Sequence, residues 1–325
     1  MKTSLTGIKP TGIPHLGNYF GAIRPALELA QECRSIYFIA DYHALTAERN
    51  PETLNAHIYD VTATWLACGL DPQRTIVFRQ SSVIEVFELT WIFACIVATG
   101  QLERGHSYKD ALAKGEAPNA GLLNYPLLMA ADIILYDTDF VPVGNDQSQH
   151  LELARDIAIR MNHLYGEKTV VVPQAKLAAT PQVPGLDGRK MSKSYGNSIP
   201  LIVASKELHE LVIKIKSDST PLEQPKEPEG AHAFELFKAI ASKAESQEVA
   251  RKLRAGGYGW GHLKKELFER LDSDLAPIRE RYHDLRDDRK RLDDILENGA
   301  ERARVKARET ISRVRRAVGI DAKKP

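Results

Sequence analysis

Short apolar runs alternate with longer stretches of helical period through the first half of the chain. Residues 35–40, 75–78 and 169–172 are almost continuously apolar, and runs of that length read as strands buried on both faces. Residues 2–7 read as an earlier strand. A well-marked helix lies between the runs at 35–40 and 75–78. Asn50 can cap it, Pro51 suits its first position and Gly69 can end it, with Leu54, Ile58, Val61 and Trp65 on one face. A second helix is expected over 147–165, with Leu151, Ala154, Ile157, Met161 and Leu164 on its apolar face and Asp146 suited to cap it. Strands alternating with helices imply a parallel sheet covered on both faces. Such sheets bind ligands beyond the carboxyl ends of their strands. Residues 10–18 occupy that kind of place, directly after the first strand.

Residues 65–125 are mostly helical in pattern, with a loose stretch at 114–118, and read as an insertion between the two halves of the sheet. The character changes after residue 197. Pro221, Pro225 and Pro228 stand among many charges in residues 217–230, which marks a surface loop. From His232 onward the chain is helical and strongly charged, broken by Gly256, Gly257 and Gly261. The expected fold is α/β: a Rossmann-like parallel sheet with a helical insertion and a C-terminal all-α domain.

Composition narrows the function classes. Hydrophobic residues make up 43% of the chain and charged residues 27%, ordinary for a water-soluble globular protein. No apolar run approaches the roughly 20 residues of a membrane span, and residues 1–5 carry no signal-peptide core. A cytoplasmic protein that avoids membranes is expected. Cys33, Cys68 and Cys95 are odd in number without a C-x-x-C pair, so they read as reduced thiols, not a disulfide frame or metal site. No protein metal site is expected. Lys and Arg total 44 against 43 Asp and Glu, so bulk charge predicts no nucleic-acid binding. Only the Arg-rich C-terminus offers a local basic surface.

Two short stretches carry the chemistry. Pro14, His15, Leu16, Gly17 and Asn18 follow the first strand; alone, they read as an ordinary turn. Gly17 would let a ligand approach the backbone closely, and an opening helix turns its amides toward anions. Asn18 can donate a hydrogen bond to a phosphate or ribose oxygen but carries no charge. Far downstream, Lys190, Met191, Ser192, Lys193 and Ser194 lie in a loop beside Gly188. Short Lys/Ser strings are usually solvated loops. Two lysines two apart on a loop that can close also suit charge moving from ATP to pyrophosphate.

In this order and at this separation the two stretches resemble the ATP signatures of class I aminoacyl-tRNA synthetases. Residues 127–136, residues 141–147 and residues 6–12 narrow the resemblance to the bacterial tryptophanyl-tRNA synthetase family. It covers nearly the whole catalytic half. The resemblance implies ATP contacts from Lys9, Pro10, Thr11, Gly17 and Asn18. It adds Gly144, Asn145 and Asp146 from the middle of the chain, the Val183 backbone, and Lys190, Met191, Ser192, Lys193 and Ser194. Lys190, Lys193, His15 and Asn18 would act on the reacting phosphates. It also implies Mg²⁺ held through the ATP phosphates, a homodimer, and tRNA(Trp), L-tryptophan and ATP as partners.

The same resemblance assigns the tryptophan pocket. Asp132 sits in an otherwise apolar stretch, and a buried carboxylate needs a donor. The indole N–H is a donor only, which matches. Met129, one turn earlier, can pack on the ring. Tyr125 and Gln147 match positions that hold the α-amino group, and His43 resembles a pocket residue near the indole. Read without the resemblance, Asp132 is a salt-bridged or helix-start residue, His43 a satisfied core histidine, and Tyr125 before Pro126 ordinary packing. The domain division that follows is 1–197 for activation, with the insertion near 65–125 and a lysine loop at 186–197. Residues 198–290 would form a helical anticodon-binding domain. Residues 291–325 would form a basic helix packing back on the core, its arginines over 301–318 mostly solvated.

The chain departs from the family at Lys9, often Gln, at Leu5, often aromatic, and in the short approach at 184–189. The rival on the same fold is a tyrosyl-tRNA synthetase, which uses a tyrosine on the first strand; no tyrosine occurs here before Tyr19. A small nucleotidylyltransferase would lack the lysine loop and long helical tail. An RNA-binding paralogue that no longer charges tRNA would need no intact motifs.

Overall fold

In the computed structural model, which describes residues 1–143, 148–177 and 183–321, five strands form one parallel sheet. They are β1 (Thr3–Ile8), β2 (Arg34–Ile39), β3 (Ile76–Arg79), β4 (Phe140–Val143) and β5 (Gln174–Leu177), in the order β3-β2-β1-β4-β5. β2 shows why the sheet is buried on both sides. Its Ile36 and Phe38 enter one apolar core and Tyr37 and Ile39 the other, following the two-residue period of a strand. Strand order reverses at β1, so a crevice opens between the carboxyl ends of β1 and β4.

The single turn α1 (Leu16–Asn18) follows β1, then a π-helical turn over Tyr19–Ile23, then α2 (Arg24–Glu32). Pro25 at the start of α2 has no N–H to give, and the wider turn lies just before it. α3 (Asp41–Ala44) follows β2, and α4 (Pro51–Ala67) follows α3. The Asn50 side chain caps α4 by accepting from the N–H groups of Glu52 and Thr53 at 2.9 and 3.0 Å.

Helices α5 (Glu85–Ala94), α6 (Thr99–Leu102), α7 (His106–Ala113) and α8 (Ala120–Leu135) separate β3 from β4. The helical stretch therefore starts after β3 and runs to Leu135. Its expected start at 65 is displaced because Ile76–Arg79 pairs with β2. α9 (Ser148–Tyr165) precedes β5. The strand expected at 169–172 forms instead at Gln174–Leu177. Asn162 occupies both backbone groups of Val170, accepting its N–H and donating to its carbonyl, each at 2.9 Å. Val170 thus plugs the core from a turn and pairs with no strand.

The remaining helices are α10 (Ser205–Ile213), α11 (His232–Ile240), α12 (Lys243–Ala255), α13 (Trp260–Asp287) and α14 (Arg289–Val318). Gly256 and Gly257, both at positive φ, separate α12 from α13, whereas Gly261 lies inside the first turn of α13 and breaks nothing. The loop before α11 is built around Lys226, only 3% exposed, whose ammonium donates to the carbonyls of Pro221, Leu222 and Gln224. α14 lies across the edge strand β3 with almost no separation. A Cβ on Gly299 would fall 1.8 Å from the Val77 carbonyl oxygen, so only glycine permits this crossing. Three arginines of α14 are half-buried against the core, whereas Arg291, Arg308, Arg315 and Arg316 are exposed. Arg302 donates to the Pro72 and Thr75 carbonyls, Arg304 to that of Ser82 and Arg313 to that of Thr169, while Arg308 and Arg315 pair with Glu85 and Glu88. No helix among the described residues is long and apolar enough to cross a membrane.

Candidate active site

One side of the crevice is assembled from two distant stretches. Leu16 N–H donates to the Ile199 carbonyl at 2.9 Å, and Leu201 N–H to that of Pro14 at 2.8 Å, which straps the turn after β1 to the chain just beyond the lysine loop. His15 caps α1. Its Nδ1 accepts the Asn18 N–H at 3.2 Å, and Asn18 Oδ1 accepts the His15 N–H at 3.1 Å. Burial, then the charges of Lys193 and Lys190, push the imidazole down to about 4, so the ring is neutral at pH 7. With Nδ1 accepting, the single ring proton sits on Nε2 as a donor.

The lysine loop rests on this turn. Met191 is buried, and its sulfur takes a weak contact from the Gly17 N–H at 3.3 Å. The Lys193 ammonium donates to the Thr11 carbonyl at 2.8 Å. Desolvation lowers its pKa. Ser192 and Ser194 share a hydroxyl hydrogen bond of 2.8 Å. The structure thus brings Thr11, His15, Gly17, Asn18, Met191 and Lys193 together. Val183 is buried nearby, and its carbonyl already accepts the Met191 N–H at 3.2 Å. Lys9 stands apart, donating to Thr46 Oγ1 at 3.2 Å; Thr46 in turn donates to the His43 carbonyl at 2.8 Å.

A second cluster surrounds one carboxylate. Asp132 on α8 is 2% exposed. Gln80 Nε2 donates to both of its oxygens, at 2.9 and 2.8 Å, and His43 Nε2 lies 2.9 Å from Oδ2. Burial pushes this carboxyl up, against the pull of His43 and Gln80. Gln80 reaches it because the carboxyl end of β3 turns tightly there. Asp41, at the start of α3, pins that turn by accepting the Ser81 N–H at 3.0 Å and the Ser81 hydroxyl. Met129 is half-buried one turn before Asp132. The Tyr125 ring lies 6.3 Å from that of His43, and its hydroxyl bonds to His150 Nε2. Burial, with His106 and His43 nearby, lowers the His150 pKa, which favours a neutral acceptor for the phenol proton. Gly144, Asn145, Asp146 and Gln147 lie outside the described residues.

The arrangement is a crevice with a histidine turn and a lysine loop on one side and a buried carboxylate within the wall of α3, α8 and the turn after β3. A family model described as tRNA synthetases class I (W and Y) matches residues 2–276. The chain is 46% identical to the tryptophan–tRNA ligase of Rhodopirellula baltica over 97% of its own length and 99% of that protein's. The chain belongs to the tryptophanyl-tRNA synthetase family. The tryptophan–tRNA ligase of Fusobacterium nucleatum is also 46% identical, with 98% of each chain covered. Among solved structures, the tryptophanyl-tRNA synthetase of Campylobacter jejuni complexed with ADP and tryptophan is 40% identical. It superposes with a TM-score of 0.91 over 98% of this chain and 99% of that one. A tyrosyl-tRNA synthetase from Archaeoglobus fulgidus, 23% identical with a TM-score of 0.67, shares the fold.

Sequence patterns in this family member did not point to Gln80, Asp41, His150 or Asn197, all of which the structure places in the two clusters. The one signal for Gln80 was its position just past the carboxyl end of a strand. Its amide oxygen is buried and takes no hydrogen bond from the described residues.

Proposed function

We propose that the chain joins L-tryptophan to tRNA(Trp) in two steps. The tryptophan carboxylate attacks the α-phosphorus of ATP; an O–P bond forms, the α–β bridge breaks, and pyrophosphate leaves. The terminal 2′-hydroxyl of the tRNA then attacks the carbonyl of tryptophanyl-adenylate, and AMP leaves. No side chain has to form a covalent bond. Positioning and charge stabilisation carry the first step. The neutral His15 supplies an Nε2–H donor, the Asn18 side chain completes the turn, and Lys190 and Lys193 supply mobile charge. Mg²⁺ would come on the ATP phosphates and neutralise part of their charge; among the described residues no cluster of His, Cys, Asp or Glu forms a cage for it.

The observation that carries the amino-acid assignment is Asp132, a carboxylate 2% exposed in an apolar helix. It accepts from Gln80 and His43 and keeps lone pairs for one more donor, such as an indole N–H. Tyr125, Met129 and His43 line the same wall. Gln147 would complete the α-amino contacts, and Gly144, Asn145 and Asp146 those to ATP. In this reading residues 198–290 carry anticodon recognition and the reaction runs in the cytoplasm. The test is charging of transcripts with labelled tryptophan. ATP-dependent incorporation into tRNA(Trp), and little into tRNA(Tyr), supports the reading; equal incorporation into both overturns it.

The family resemblance and an exposed stripe support a homodimer. Ile84, Phe87 and Trp91 fall on one side of α5 and are 70%, 45% and 72% exposed. The Phe87 ring stacks edge-on with Tyr42 at 4.6 Å, so the stripe continues into α3, the helix that carries Asp41 and His43. A second copy is the occupant proposed for this face. Sedimentation equilibrium should give twice the chain mass, and Trp91→Glu should shift it toward one chain. A monomeric wild type refutes the dimer.

A further inference from the structure

Residues 183–197 close around one side chain. Pro184 and Lys190 face each other in an antiparallel bridge, and the Gly185 N–H donates to the Arg189 carbonyl at 2.7 Å. Asn197 sits inside, 3% exposed. Its Oδ1 accepts the Ser192 N–H at 2.8 Å. Its Nδ2 donates to Asp187 Oδ1 at 2.7 Å and to the Lys190 carbonyl at 3.2 Å. Its own carbonyl accepts the Leu186 N–H at 2.9 Å. Both amide hydrogens and the amide oxygen are therefore used, and nothing in the carboxamide is left for solvent.

These bonds grip the backbone on both sides of Met191. The Lys190 carbonyl lies before it and the Ser192 amide after it, so one planar group fixes the segment that joins the two lysines. The loop is shaped to admit this group. A Cβ on Gly185 would lie 2.4 Å from Asn197 Cγ, which excludes any other residue there. Asp187, which receives the amide, is held down to about 2 by Asn197 and then by Arg189, so it stays an ionised acceptor. The loop so formed reaches the first motif through Met191 on Gly17 and Lys193 on Thr11.

We propose that Asn197 is a positioning residue for adenylate formation, whose carboxamide sets the register of Lys190 and Lys193 before ATP arrives. The two ammonium groups then follow the departing pyrophosphate as a pair of fixed spacing, carried by a loop that moves as one piece. The inference rests on the reading that these lysines act on the phosphates. Asn197 itself touches no substrate. A displacement of about 1 Å in such a constellation lowers the rate by up to roughly a hundredfold.

The experiment measures single-turnover adenylate formation beside equilibrium binding of tryptophan and ATP and thermal unfolding, for wild type and three variants. Lys193→Ala is the reference and should be slower by about a hundredfold. Asn197→Ala should be slower by roughly tenfold to a hundredfold, with tryptophan affinity unchanged and ATP affinity little changed. Asn197→Asp sets a carboxylate against Asp187 and should be at least as slow. If Lys193→Ala keeps the wild-type rate, the lysine reading itself fails. If Lys193→Ala is slow while Asn197→Ala and Asn197→Asp react at the wild-type rate, Asn197 has no positioning role. Rate losses matched by losses in tryptophan binding and melting temperature also overturn the inference.

Discussion

Replacing Asp132 by alanine lowers kcat/KM for tryptophan by about 10³-fold and leaves ATP affinity nearly unchanged. The substitution has two effects. The indole N–H no longer finds an acceptor, and the groups that held the carboxylate are orphaned in the core. Gln80 Nε2 would lose both of its bonds, and His43 Nε2 its bond of 2.9 Å. Each buried donor left unpaired costs about 1–3 kcal/mol of stability, while the lost acceptor for the indole N–H is what lowers kcat/KM. Asp132→Asn should lose less. Its oxygen can still face the indole, but the charge assistance is gone and an amide donor now confronts the Gln80 donor. ATP binding stays because no phosphate-side group bonds to Asp132. Steady-state exchange kinetics at saturating ATP reads the effect, and unchanged tryptophan kinetics in Asp132→Ala would leave Asp132 a purely structural residue.

The parts of the fold legible in the sequence are those set by neighbours in the chain. The start of α4 could be read because Asn50 and Pro51 act within one turn. β2 could be read because six consecutive residues, 34–39, form it and only its first is exposed. β4 escaped notice because Pro142 interrupts a run of four residues, and proline argues against a central strand. β5 was displaced because the best β-like run, at 169–172, had lost its Val170 backbone groups to Asn162. Charge in the last helix was plain, but the carbonyls that take its arginines come from Pro72, Thr75, Ser82 and Thr169, which no local pattern reveals.

The candidate site divides the same way. His15, Gly17, Asn18 and the lysine loop were legible because each belongs to a contiguous motif whose chemistry is local. Asp132 was legible as a carboxylate out of place in an apolar run. Gln80 lies 52 residues from Asp132 and belongs to no motif. Asn197 ends the lysine loop as one more polar residue, and only its burial and the close approach to Gly185 mark it.

The central claim is that this crevice selects tryptophan, and discrimination between two aromatic amino acids follows from its donors and acceptors. An indole N–H needs an acceptor alone, which Asp132 offers. A phenol hydroxyl donates and accepts, and it needs a second protein donor at the depth of the para position. The tyrosine-type site weighed as the rival from the sequence would meet it from a tyrosine on the first strand. In this chain β1 carries a buried Leu5 and no tyrosine. The smaller ring would also leave the wall formed by Met129 and His43 incompletely filled. A site built for one hydrogen-bonding pattern rejects another by about 10⁴-fold. The decisive measurement is ATP–pyrophosphate exchange by the wild-type protein with tryptophan and with tyrosine. A kcat/KM for tryptophan about 10⁴-fold above that for tyrosine is the predicted result; equal exchange with the two amino acids would contradict it.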